Sequence, residues 1–135
     1  APVPWAARRL SAPGALLLPA LDLLVEATAV AELPDDLGAR VIAVDGDALP
    51  FPWEIRTRRA GDWLHVEQGT KKLKNLFIDA KVPRAARAAV PLFVARDQIF
   101  WVGGLRQAAF GRVTSKTKRI LRVTLRQVSA GEESS

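Results

Sequence analysis

The sequence predicts a small, β-rich α+β domain with one or two short helices inserted among its strands. Three observations lead there. Residues 119–126 (RILRVTLR) alternate, with Leu121, Val123 and Leu125 on one side and Arg122, Thr124 and Arg126 on the other. Leu73, Leu76, Phe77 and Ala80 fall at i, i+3, i+4 and i+7, the spacing of one buried helical face. The hydrophobic fraction of 49% over 135 residues is enough for a packed core.

Along the chain, residues 1–14 are rich in Pro, Ala and Arg and read as a loose lead-in. Ala15–Leu18 and Leu21–Val30 read as a pair of strands with Pro19 between them. Residues 31–39 form a loop, and Val41–Val44 a short strand that ends at an Asp45-Gly46-Asp47 turn. Ala48–Pro52, with two prolines, predicts an extended linker and a boundary: 1–52 connecting segment, 53–128 basic domain, 129–135 disordered tail. WEIRTRR then reads as a strand with Trp53, Ile55 and Thr57 on one side and Glu54, Arg56 and Arg58 on the other. The turn Ala60-Gly61-Asp62 follows. Thr70 is placed to cap the lysine-rich helix, and Pro83 to occupy the first position of a second helix, RAARAA. PLFVA and IFWV predict a hairpin around Arg96-Asp97-Gln98, ended by Gly103-Gly104.

Charge divides the chain. Residues 1–53 hold three basic and seven acidic residues, a net of −4, whereas residues 54–135 hold seventeen basic and seven acidic, a net of +10. No acidic residue occurs in 98–131, which carries Arg106, Arg112, Lys116, Lys118, Arg119, Arg122 and Arg126. This separation suggests a polyanion-binding face on the second half. Lys71, Lys72 and Lys74 are predicted in the first helical turn, where the unpaired N–H groups are already positive. An anion, with phosphate the usual one, would reconcile cations with that end of a helix; a solvated, solubilising helix end is the plain alternative.

Catalysis fails on inventory. His65 is the single histidine and cysteine is absent, so metal clusters and Cys/His or Ser/His/Asp relays are not assembled. The lack of cysteine suits a reducing, cytoplasmic setting. No apolar run reaches the roughly 20 residues of a membrane span, since ALLLPALDLLV is broken by Pro19 and Asp22. Trp53, Trp63, Phe77, Phe100 and Trp101 read first as core, with Trp63 the most open to stacking on an unpaired base. Phe110 stays open.

The run KKLKNLFIDAKVPR, followed by IFWVGGLR and VTSKTKRILRVTL and preceded by IRTRRAGD, resembles the C-terminal region of bacterial tRNA(Ile)-lysidine synthetases from about Trp53 to about Val128. Asn75 departs from the acidic residue common there, and RQAAFGRVT is an altered version of its segment. The resemblance implies a β-sandwich-like core similar to a domain of the phenylalanyl-tRNA synthetase β-subunit. It also implies a parent ligase that uses ATP, magnesium and lysine to modify the wobble cytidine of an isoleucine tRNA with a CAU anticodon. The ATP-binding SGGxDS loop of such enzymes is absent from these 135 residues, so no cofactor is expected in this chain and it should be inactive alone. A chain starting without Met fits an excised fragment.

What the resemblance leaves for this chain is tRNA recognition at the acceptor stem. Its partners would be that tRNA and the catalytic domain of the same protein, and a homodimer is a candidate assembly; no membrane partner is expected. Lys71, Lys72 and Lys74 with Arg84 and Arg87 form one candidate phosphate clamp, and Arg56, Arg58 and Arg106 are the next candidates for tRNA contact. A structural module packing on a catalytic domain and a stand-alone RNA-binding protein are the alternatives.

Overall fold

The structure, a computed structural model, describes residues 5–128. The predicted tail at 129–135 lies outside the described residues. Eleven strands are ordered along the described chain: β1 (Arg8–Leu10), β2 (Gly14–Leu18), β3 (Leu23–Val30), β4 (Val41–Asp45), β5 (Trp53–Arg56), β6 (Trp63–Val66), β7 (Gly69–Lys72), β8 (Leu92–Ala95), β9 (Gln98–Val102), β10 (Arg106–Gln107) and β11 (Ile120–Gln127). One α-helix, α1 (Leu73–Asp79), follows β7, and 3-10 turns cover Pro19–Leu21 and Arg84–Ala89.

Two antiparallel sheets face each other. The larger has the order β1-β5-β8-β9-β10 and the smaller β2-β3-β11-β4. β11, the strand with the clean alternation, is central, pairing β3 from Ile120 opposite Val30 to Gln127 opposite Leu23 and β4 on its other side. Its inward residues Leu121, Val123 and Leu125 meet Val25, Ala27, Ile42 and Val44 of its own sheet and Trp53, Ile55, Phe93 and Trp101 of the other. This sandwich interior and the short inserted helix bear out the α+β, β-rich fold class.

Residues on both sides of position 52 share that core. β1, read as lead-in, pairs β5 with Leu10 opposite Trp53. The Ala48–Pro52 stretch is packed rather than a free linker: Leu49 is fully buried, and its carbonyl accepts the Trp53 indole N–H at 2.9 Å. Phe51, joined to Pro52 by a cis bond, stacks on the Trp53 ring at 4.3 Å.

In the larger sheet the strands β8 and β9 are buried on both faces, which a sandwich strand with one wet face would not be. Its outer face is covered by residues 57–91. There β6 and β7 form a separate hairpin, with Leu64 directed inward, and α1 buries Leu73, Leu76 and Phe77. These side chains close on Leu92, Val94, Ile99 and Val102 as a second hydrophobic cluster. Hence the apolar runs LFVA and IFWV show no alternation: both sides of β8 and β9 meet protein.

That second layer corrects the reading of Arg56 as an outward cation. β5 ends at Arg56, whose residue is only 8% exposed. Its guanidinium donates to both carboxylate oxygens of Asp62, at 2.9 and 3.0 Å. The same carboxylate accepts the Arg59 backbone N–H at 2.7 Å, and the Asp62 carbonyl accepts the Leu73 N–H at 3.0 Å. The helix prediction is corrected too. Lys71 and Lys72 lie in β7 and Thr70 pairs with His65, so α1 starts one residue after Lys72 and has no side-chain cap. The hairpin competes with a longer helix and prevails because it buries Leu64 against the sheet.

Two substitutions probe this architecture by thermal unfolding. A Cβ on Gly103 would lie 2.8 Å from Leu125 Cδ1 and 2.9 Å from the Pro91 carbonyl oxygen, a backbone atom that cannot yield. Gly103→Ala should therefore destabilise by about 1–3 kcal/mol, while Gly38→Ala, with nothing within 4 Å, should be near neutral. Asp62→Ala leaves buried Arg56 with only the half-exposed Glu54 carboxylate, 3.5 Å from its Nε, and should cost about 3 kcal/mol; adding Arg56→Met should return part of that loss.

Candidate functional site

The concave feature that gathers the predicted cations is a cleft of about 400 Å³ between the 58–62 turn, the end of β7, the first turn of α1 and the 3-10 turn. Arg58, Arg59, Lys72, Lys74, Arg84 and Arg87 line it, with Asp62 the sole acidic residue of the lining. Asp62 is already engaged by Arg56, which makes it part of the wall's scaffold. Among the described residues, none of the six cations has a carboxylate within 4.0 Å.

Each wall is set locally. The chain leaves β5 at Arg56, so Arg58 and Arg59 escape strand alternation and fall on the turn fixed by Asp62. Lys72 and Lys74 flank Leu73, whose buried side chain anchors the start of α1. Pro83 precedes the 3-10 turn Arg84–Ala89 with φ −57°, at its cap rather than its first position. That turn is held from behind: the Ala88 carbonyl accepts the Trp5 indole N–H at 2.8 Å and the Thr57 hydroxyl at 3.4 Å. Arg87 is braced, with Nε donating to the Val82 carbonyl at 3.2 Å and the guanidinium carbon 5.6 Å from the Phe77 ring centre. Lys72, Lys74, Arg59 and Arg84 are exposed.

Of the eight residues predicted from sequence, Arg58, Lys72, Lys74, Arg84 and Arg87 come together in the cleft. The other three do not. Arg56 is buried behind it. Lys71 points to the far end of α1, where it pairs with Asp79. Arg106, on β10, pairs with Glu67 at 3.5 Å, and Arg112 meets the same carboxylate at 3.2 Å. A backbone hydrogen bond at Glu67 and then the charges of Arg112 and Arg106 hold the Glu67 carboxyl below its ordinary range. Arg59 was missed by sequence reasoning; the RTRR run just before a Gly-Asp turn was the available signal.

The charge separation along the sequence is partly cancelled in space. Arg122 of β11 is hydrogen-bonded to Asp36, which lowers the Asp36 pKa, and Arg126 lies 3.9 Å from Glu26. Acids of the first half thus neutralise cations of the last strand, which sharpens the contrast with the unpaired cleft. Such a donor set suits a phosphate-bearing anion and not a divalent cation. Among the described residues no group of three or more His, Cys, Asp or Glu gathers, and no helix is long and apolar enough to cross a membrane.

Comparison with known proteins gives the family of the chain. A family model described as the TilS substrate C-terminal domain matches residues 53–125. The tRNA(Ile)-lysidine synthase of Symbiobacterium thermophilum is 41% identical over 127 residues, covering 88% of this chain and 26% of that protein. That of Bacillus subtilis is 37% identical over 90 residues, covering 64% of this chain and 19% of that protein. A solved structure titled as the crystal structure of the TILS C-terminal domain superposes with a TM-score of 0.78 at 29% identity, covering 93% of this chain and 100% of that one. The chain spans about a quarter or less of the length of these curated relatives. By motif, by sequence and by fold, this chain belongs to the TilS C-terminal domain family.

Proposed function

We propose that this domain is the tRNA-recognition part of an ATP-dependent tRNA(Ile)-lysidine ligase, gripping the acceptor stem of an isoleucine tRNA with a CAU anticodon. The observation that carries the reading is the cleft of six cations without a carboxylate partner, on a domain whose relatives are named as tRNA(Ile)-lysidine synthases. A-form RNA presents its phosphates and 2′-hydroxyls across a shallow minor groove, so it is recognised mainly by shape and backbone. The cleft suits that task. Arg58, Arg59, Arg84 and Arg87 offer forked donors for bidentate phosphate contacts, and Lys72 and Lys74 add mobile point charges.

The domain contributes no catalytic group to the reaction in this reading. ATP, magnesium and lysine are handled by a catalytic domain elsewhere in the parent protein, and this chain raises the local concentration of the correct tRNA there. Such an assembly works in the cytoplasm. Packing on the catalytic domain with an incidental basic face is the competing role that the test must separate.

The test is a titration of the chain with the isoleucine tRNA across salt, with an initiator methionine tRNA of the same anticodon for comparison. Affinity should fall steeply with salt, at about 0.7–0.9 in log–log slope per neutralised phosphate. The double variant Lys74→Gln, Arg84→Gln should flatten that slope by about 1 to 2 with an unchanged melting temperature, because both side chains are exposed. An unchanged slope and affinity would remove the cleft from the interface. Preference for the isoleucine tRNA makes the domain a discriminating reader, and equal binding makes it an electrostatic platform.

A further inference from the structure

We propose that Trp63 is a stacking platform for the base of an unpaired nucleotide lying beside the duplex held in the basic cleft. The proposal rests on the tRNA reading above and deepens it. Trp63 is 43% exposed, unlike Trp53 and Trp101, which are buried in the main core. The hairpin explains the difference. On β6 alternate residues face opposite ways, so Leu64 enters the second cluster while Trp63 and His65 share the outer face. Their cross-strand partners are Lys72 and Thr70.

The indole is held ready. Its ring contact is perpendicular, with the His65 ring 4.9 Å away at 86°, and His65 is braced in turn by Phe110 at 5.8 Å and 87°. The His65 carbonyl accepts the Ala109 N–H at 3.0 Å, which ties the hairpin to the Phe110 loop. Among the described residues, no ring lies parallel over Trp63, so stacking is available to a ligand. A rigid aromatic offered this way loses little entropy on binding.

Position supplies the ligand class. Lys72, directly opposite Trp63, lines the basic cleft, and residues paired across a hairpin have Cβ atoms only about 5 Å apart. The Gly61-Asp62 turn borders the cleft on one side and, on the other, a notch of about 90 Å³ lined by Trp63, His65, Asp97 and Gln98. A strand whose phosphate sits on Lys72 therefore carries a neighbouring base over the indole. The Gln98 amide and His65 ring stand beside that position as hydrogen-bonding groups. Stacking of this kind accepts any base, because every base offers a π-face.

The test compares a short duplex RNA with a single-stranded 3′ extension, the same duplex blunt-ended, and one whose extension is abasic. For the unmodified chain the extension should strengthen binding roughly tenfold, and the abasic extension should not. Trp63→Ala should lose that gain while binding the blunt duplex as before, and Trp63→Phe should keep most of it. The abasic RNA makes the same point with the protein untouched, should Trp63→Ala perturb the hairpin. Equal binding of the extended and abasic RNAs would overturn the proposal, as would a loss by Trp63→Ala that is equal on blunt and extended RNA. Failure of the blunt duplex to bind in a salt-dependent way would instead strike the cleft reading, whatever Trp63 does.

Discussion

The outer layer of this domain depends on one ion pair, Arg56 with Asp62. Arg56 ends the strand β5 on the face that the 57–91 segment covers, so its charge is enclosed where the second layer meets the larger sheet. A buried guanidinium tolerates few arrangements, because a missing partner is costly while the pair itself adds little net stability. The value of the pair is therefore positional. Asp62 accepts one bond from each terminal nitrogen of Arg56 and the Arg59 N–H, and its carbonyl accepts the Leu73 N–H. One carboxylate thereby fixes the turn, the entry to the hairpin and the start of α1, the elements from which the basic cleft is built.

The same pair decides the cleft's electrostatics. With Asp62 neutralised from behind, nothing within the lining opposes the six cations. Elsewhere the domain pairs its charges across the fold, Arg122 with Asp36 and Arg112 with Glu67. Raw charge along the sequence is thus a poor guide to where an anion would bind. Cations on β10 and β11 outnumber nearby acids in sequence and yet meet them in space, whereas the cations around Gly61 and Arg84 do not.

Much of the molecule was legible in the sequence because two-residue alternation reports one-sided burial. β11, the β8–β9 hairpin and the family motif could be read directly. The errors share a cause. Alternation in WEIRTRR extends through Arg58 only if the outer face stays wet, but the 57–91 layer covers that face at Arg56 and the strand ends there, which buries Arg56 and frees Arg59 from the pattern. KKLK was read as helix because Leu73, Leu76 and Phe77 carry a helical period. Nothing in that period says where the helix begins, and the burial of Leu64 across the hairpin decided it. Lys71 and Arg106 looked equivalent to Lys74 and Arg84 because an ion pair to Asp79 or Glu67 is set by geometry that the sequence does not contain.

Concentrating cations without partners strains a small fold, since like charges repel and each must stay solvated. The cleft meets this cost by dividing its cations into two kinds. Arg87 is held by the Val82 carbonyl and the Phe77 ring, a fixed donor whose direction is set before any ligand arrives. Lys72, Lys74 and Arg84 are exposed and can retreat into solvent when the cleft is empty. A fixed arginine among mobile cations favours recognition of a regularly spaced backbone over recognition of one base, since the fixed group sets register and the mobile ones follow the phosphates. On the tRNA reading, sequence discrimination by this domain would then have to come from the shape of the stem or from the nucleotides beside it, and not from the cleft.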